Sequence, residues 1–151
     1  MNLPDGEIQE LKTVGLLHDI GKVAIDENIL NKPGKLTNEE WEELKRHPEI
    51  GYRILSSAND MAEIAEYVLA HHERWDGKGY PFGIRGTDIP ISARIVALAD
   101  AFDAMTTDRP YRSALSWSEA IAEIASLAGS QFDPGLTREF LAMLAEAEGT
   151  N

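Results

Sequence analysis

Ser92-Ala93-Arg94-Ile95-Val96-Ala97-Leu98-Ala99-Asp100-Ala101-Phe102-Asp103-Ala104-Met105-Thr106 spaces its apolar residues with the period of a helix. Ile95, Leu98, Ala99 and Phe102 fall on one side, and Asp100 and Asp103 stand on one face of this otherwise apolar helix at i, i+3. A carboxylate on the apolar side of a helix is costly unless it is paired or bound to a metal ion. This stretch thus points to a helical fold and marks where chemistry is to be sought.

The same period recurs on both sides of it. Upstream, the stretch from Glu7 to His18 carries Ile8, Leu11, Val14 and Leu17 until Gly21 interrupts, and Lys32-Pro33-Gly34-Lys35 is a turn. Thr37-Asn38-Glu39-Glu40 predicts a capping box opening a helix that buries Trp41 and Leu44. Pro48 suits the first turn of a helix through Ile50 and Ile54. Asp60-Met61-Ala62-Glu63 is a further helix-start signal, for a helix with Ile64, Val68 and Leu69 that ends near His71-His72. Glu73 to Pro90 is rich in Gly and Pro and reads as an ordered loop. Downstream, Ser116-Trp117-Ser118-Glu119 caps a helix that stops at Gly129, and Asp133-Pro134 starts a last one carrying Leu136, Phe140 and Leu144. No segment alternates as a strand, and no linker or repeat divides the chain. The expectation is an all-α fold, one helical domain over residues 1–151 with short connections.

A chain of 151 residues can bury a core without disulfides, and it has no Cys. It shows no signal-peptide pattern and no apolar run near the roughly 20 residues that span a bilayer, so a cytoplasmic location is expected. The net charge of -12 argues against DNA or RNA as partner, since nucleic acids need a basic footprint. It leaves room for a small anionic ligand, because bound metal ions invert the potential inside a cleft.

All four histidines have notable neighbours. His18 precedes Asp19, His47 precedes a helix, and His71 and His72 are adjacent at a helix end. A lone His or Asp is usually a surface or satisfied core residue. Six such residues with helical placement are harder to dismiss. Mixed imidazole and carboxylate ligands suit Fe, Mn, Zn, Co or Ni, not Ca or a thiolate zinc site.

His18-Asp19-Ile20-Gly21-Lys22 is similar to the HD signature of metal-dependent phosphohydrolases. His71-His72-Glu73-Arg74-Trp75-Asp76-Gly77-Lys78-Gly79-Tyr80-Pro81 resembles the HHE-x-WDG-x-GYP signature of the HD-GYP family. The segments around Lys32, His47, Asp100, Asp108-Arg109-Pro110-Tyr111-Arg112 and Gln131-Phe132-Asp133-Pro134 resemble family segments in the same order.

That resemblance implies a phosphodiesterase that hydrolyses cyclic di-GMP, or a related cyclic dinucleotide, to pGpG or GMP. It implies two or three divalent metal ions, Fe or Mn, held by His18, Asp19, Asp100, His47, His71 and His72, with Asp19 bridging. Lys22, Arg109 and Arg112 match phosphate-holding positions, and Asp103 is placed to orient or deprotonate the attacking water. Gly79, Tyr80 and Pro81 match the loop that forms a lip for the nucleotide, or a docking patch for diguanylate cyclase (GGDEF) domains. Trp75 and Tyr80 either stack on guanine or pack that loop.

Family members carry a further ligand His on a helix upstream of the HD pair. Here seventeen residues precede His18 and none is His. The corresponding expectation is a domain without that helix, an exposed apolar groove, self-association and weaker metal binding. Two alternatives to an active phosphodiesterase remain: a non-catalytic cyclic di-GMP-binding or interaction module, and a hydrolase of another nucleotide, against which the GYP block argues.

Overall fold

The computed structural model describes residues 4–108 and 113–148. Eight α-helices are present among them, and no strand, only an isolated bridge between Ala128 and Phe132. The all-α expectation holds.

Helix α1 (Asp5–Leu17) has Asp5 and Glu7 in its first turn, where acidic side chains favour the exposed N–H groups. It ends at His18, and a 3-10 turn over Ile20–Ala24 follows. A one-turn helix α2 (Glu27–Leu30), capped by the Asp26 carboxylate, was not foreseen from the sequence. Helix α3 (Asn38–Leu44) opens with the expected Thr37–Glu40 capping box. Its Trp41 departs from expectation: the residue is 45% exposed. Helix α4 (His47–Ser56) has Pro48 in its first turn. Helix α5 (Ala62–Ala70) starts without a side-chain cap, so Asp60 does not serve as one. Helix α6 (Ile91–Thr106) covers the stretch quoted first. Helix α7 (Trp117–Ser126) has the Ser116–Glu119 capping box, and the Asp133 carboxylate accepts from the backbone of Gly135 and Leu136 at the start of α8 (Pro134–Glu148).

Two main cores form, and α6 contributes to both. Val96 joins Val14 of α1, Leu55 of α4, and Ile64, Ala65 and Val68 of α5. Leu98 joins Ile124, Phe132 and Leu136 beside α7 and α8. Because α6 is held by packing on both sides, Asp100 rides on a fixed support.

The 3-10 turn rests on α4 through two glycines. A Cβ on Gly21 would overlap the carbonyl oxygen of His47 and lie 2.6 Å from the amide nitrogen of Gly51. Only a missing side chain lets the two backbones approach this closely. An apolar groove of about 580 Å³ runs past α1, α6 and α8, lined by Leu11, Ile95, Leu98, Leu136, Phe140 and Met143. Among the described residues, no helix is long and apolar enough to cross a membrane.

Candidate metal centre

Three helix ends, one turn and the middle of a further helix deliver the ring and carboxylate atoms. His18 caps α1, His71 caps α5 with His72 directly after it, and His47 opens α4. Asp19 lies at the start of the 3-10 turn, and Asp100 comes from the middle of α6. Ligand atoms of Asp19, His47, His71 and His72 all lie within 4.8 Å of one another.

The tautomers follow from the backbone. Nδ1 of His18, His47 and His71 faces the carbonyl oxygen three residues earlier, at 2.7, 2.8 and 2.5 Å. A carbonyl only accepts, so each Nδ1 carries a proton, and the neutral rings of His47 and His71 turn their Nε2 lone pairs inward. His47 Nε2 then lies 3.4 Å from His71 Nε2, both buried, with no proton to share. His72 Nε2 lies 3.1 Å from His47 Nε2. The opposed lone pairs of His47 and His71 are unfavourable until a cation lies between them. Burial, the largest influence, lowers the pKa of His47, His71 and His72, that of His71 to about 4, so these rings stay neutral and ready to ligate. This donor set fits a divalent metal ion.

Asp19 faces both ways. Its Oδ1 lies 3.4 Å from His47 Nε2, while Oδ2 lies 3.4 Å from His18 Nε2 and accepts from Lys22 Nζ at 2.6 Å. Burial works against its charge, but His18 and Lys22 hold its carboxyl well below the usual range. His18 Nε2 also faces Asp100 Oδ1 at 3.6 Å; hydrogen bonding to Asp100 and then Asp19 raises its pKa to about 10. A proton on His18 thus sits between two carboxylates, where a cation would compete with it.

Cavities flank the cluster. One of about 310 Å³ is lined by His18, Asp100, Asp103 and the apolar Leu11 and Ile95. The other, about 210 Å³, is lined by His71, His72, Glu73, Arg74, Asp100 and Gln131. Asp103 is exposed at the first. Arg109 and Arg112 lie outside the described residues.

The GYP loop folds back over this centre. Tyr80 stacks on His72, ring centroids 4.8 Å apart and planes at 27°, and its backbone N–H donates to the His72 carbonyl. The Tyr80–Pro81 bond is cis. Gly79 is packed against the HHE backbone: a Cβ there would lie 2.5 Å from Glu73 Cα and 2.6 Å from His72 O. Trp75 packs the loop, with the Arg94 guanidinium 5.8 Å over its ring. Arg74 grips Asp76 with two N–H groups and Gln131 with a third, tying the loop to the α7–α8 connection.

Two residues escaped the sequence reading. Glu73 is 4% exposed, and its Oε1 accepts from the backbone N–H of Phe82 and Gly83, clasping the far side of the loop. Trp41 meets Tyr80 edge-on at 6.4 Å. A Glu between His72 and Arg74 carried no periodic signal, whereas the half-exposed Trp41 was misassigned by helical spacing alone.

Residues 1–136 match the family model described as HD domain. The chain belongs to the HD domain family. With HHE and GYP blocks in place, it is an HD-GYP-type member. It is 47% identical over 148 residues to a cyclic di-GMP phosphodiesterase of Thermotoga maritima, covering 97% of this chain and 40% of that protein. It is 43% identical over 150 residues to the cyclic di-GMP phosphodiesterase response regulator RpfG of Xanthomonas campestris pv. campestris, covering 98% and 40%. To 3'3'-cGAMP-specific phosphodiesterase 2 of Vibrio cholerae it is 42% identical, covering 92% and 27%. The chain therefore spans about two-fifths of the length of the first two relatives. The HD fold is shared with the crystal structure of a cyclic GMP-AMP specific phosphodiesterase of V. cholerae, at TM-score 0.72 and 24% identity, over 96% of this chain and 40% of that one. Membership of the HD family implies divalent metal binding, in keeping with the His and Asp cluster.

Proposed function

We propose that this HD-GYP domain is a metal-dependent phosphodiesterase acting on cyclic di-GMP or a related cyclic dinucleotide, yielding pGpG or GMP. The observation that carries it is the convergence of Asp19, His47, His71 and His72, with the other oxygen of Asp19 turned to His18. The names of the relatives point to the same substrates.

His47, His71 and His72 would hold one ion, His18 and Asp100 a second, and Asp19 both. Iron or manganese suits this imidazole and carboxylate set. Bound divalent ions supply Lewis acidity and lower the pKa of water. Lys22, at the outer oxygen of Asp19, is placed to meet a phosphoryl oxygen, and Arg109 and Arg112 are assigned the same task. Asp103, lining the cavity with Asp100, would orient the attacking water or take its proton. Gly79, Tyr80 and Pro81 form the lip, and the adjoining Phe82, 64% exposed, suits contact with a diguanylate cyclase domain. Self-association through the groove beside α8 is the further assembly proposed, and the cytoplasm its setting.

Anaerobic incubation of the chain with cyclic di-GMP and Fe(II) or Mn(II), with chromatographic separation of products, tests this. The expected result is metal-dependent appearance of pGpG or GMP. A folded chain that binds cyclic di-GMP without cleaving it would instead establish a binding module.

A further inference from the structure

We propose that Trp41 is the stacking surface for one purine base of the nucleotide substrate. This rests on the phosphodiesterase reading and adds to it a residue that selects for the base. His72, Tyr80 and Trp41 form a row of rings leading out from the metal centre, with centroid steps of 4.8 and 6.4 Å. Only the outer end of that row is available. His72 belongs to the cluster, and the Tyr80 ring already has His72 stacked on it and Lys45 Nζ 6.0 Å over it. Trp75 is taken by Arg94 and the loop it packs. Phe82 is exposed, but among the described residues its ring does not join this row, and its backbone is drawn back to Glu73.

Trp41 is 45% exposed on a helix whose other side chains are largely charged. Two nearby cations are neutralised locally: Lys45 pairs with Glu42, and Lys32 with Glu40. The surface around Trp41 thus offers little to a phosphate and a half-exposed aromatic ring to a base. A dinucleotide with a phosphate at the cluster can lay a base outward along the row. Stacking tolerates any purine, since it reads a face and not a hydrogen-bonding edge.

The test uses the full chain loaded with Mn(II), comparing Trp41→Ala, Trp41→Leu and Trp41→Phe. For cyclic di-GMP, Trp41→Ala should raise KM and the calorimetric Kd about tenfold, within the range lost when a stacked aromatic is removed, with kcat changed less than twofold. Trp41→Leu keeps apolar bulk without a π-face and should resemble Ala; Trp41→Phe should recover most of the loss. Methyl p-nitrophenyl phosphate, a diester without a purine, gives the reference: the loss should be confined to the nucleotide. Wild-type KM and Kd in Trp41→Ala, Leu equal to Phe, or a parallel loss on the simple diester would each overturn the stacking role while leaving the phosphodiesterase in place. Wild-type protein that neither binds nor cleaves cyclic di-GMP would overturn both.

Discussion

Asp19→Ala is expected to abolish cyclic di-GMP hydrolysis, with a loss well beyond the roughly 10–100-fold that removal of an outer partner of a metal ligand costs. The two oxygens of this one carboxylate face different histidines, His47 on one side and His18 on the other, and Lys22 is anchored on the second. Alanine removes a shared negative charge from both halves of the centre and takes from Lys22 the carboxylate it is anchored on. A cation would then enter a neutral or positive environment. Metal content by mass spectrometry should fall together with turnover. Asp19→Asn keeps the shape and one acceptor oxygen but not the charge, so it should also lose metal. Near wild-type turnover in Asp19→Ala would show that the assigned centre is wrong.

Gly21→Ala should destabilise the fold at or beyond the upper end of the roughly 1–3 kcal/mol typical of overpacking. The added methyl would meet backbone atoms of His47 and Gly51, which cannot rotate away as a side-chain tip can. Relief requires the turn carrying Asp19 and Lys22 to separate from α4, whose first residue is His47. Stability and metal retention should therefore fall together. Urea unfolding monitored by circular dichroism, paired with metal analysis, reads both. An unchanged unfolding midpoint would mean that the turn does not rest on α4 as described.

The sequence was legible where local physics decides. The apolar spacing of 92–106 gave α6, and the Thr37 and Ser116 capping boxes formed as their spacing demands. The histidines and carboxylates were recognised as a set, but their mutual geometry depends on packing between distant segments. Nothing local places His72 beside His47, twenty-five residues away. Trp41 shows the limit: i, i+3 spacing with Leu44 in a seven-residue helix cannot say which side faces inward, and its partner Tyr80 lies in a remote loop. The role of Glu73 was likewise hidden, because its clasp on Phe82 and Gly83 exists only once the loop has turned back.

The bonds from His18 and His71 to the carbonyls of the turns before them have an electrostatic consequence. Both rings mark the C-terminal ends of helices, α1 and α5, where the peptide dipoles leave partial negative charge. Two helix axes therefore reinforce Asp19 and Asp100, in a chain already at -12. That partial negative charge favours a cation beside the imidazole nitrogens. On the phosphodiesterase reading, ions are expected to bind before nucleotide, so a chelator should block nucleotide capture as well as cleavage, which calorimetry with and without chelator would check.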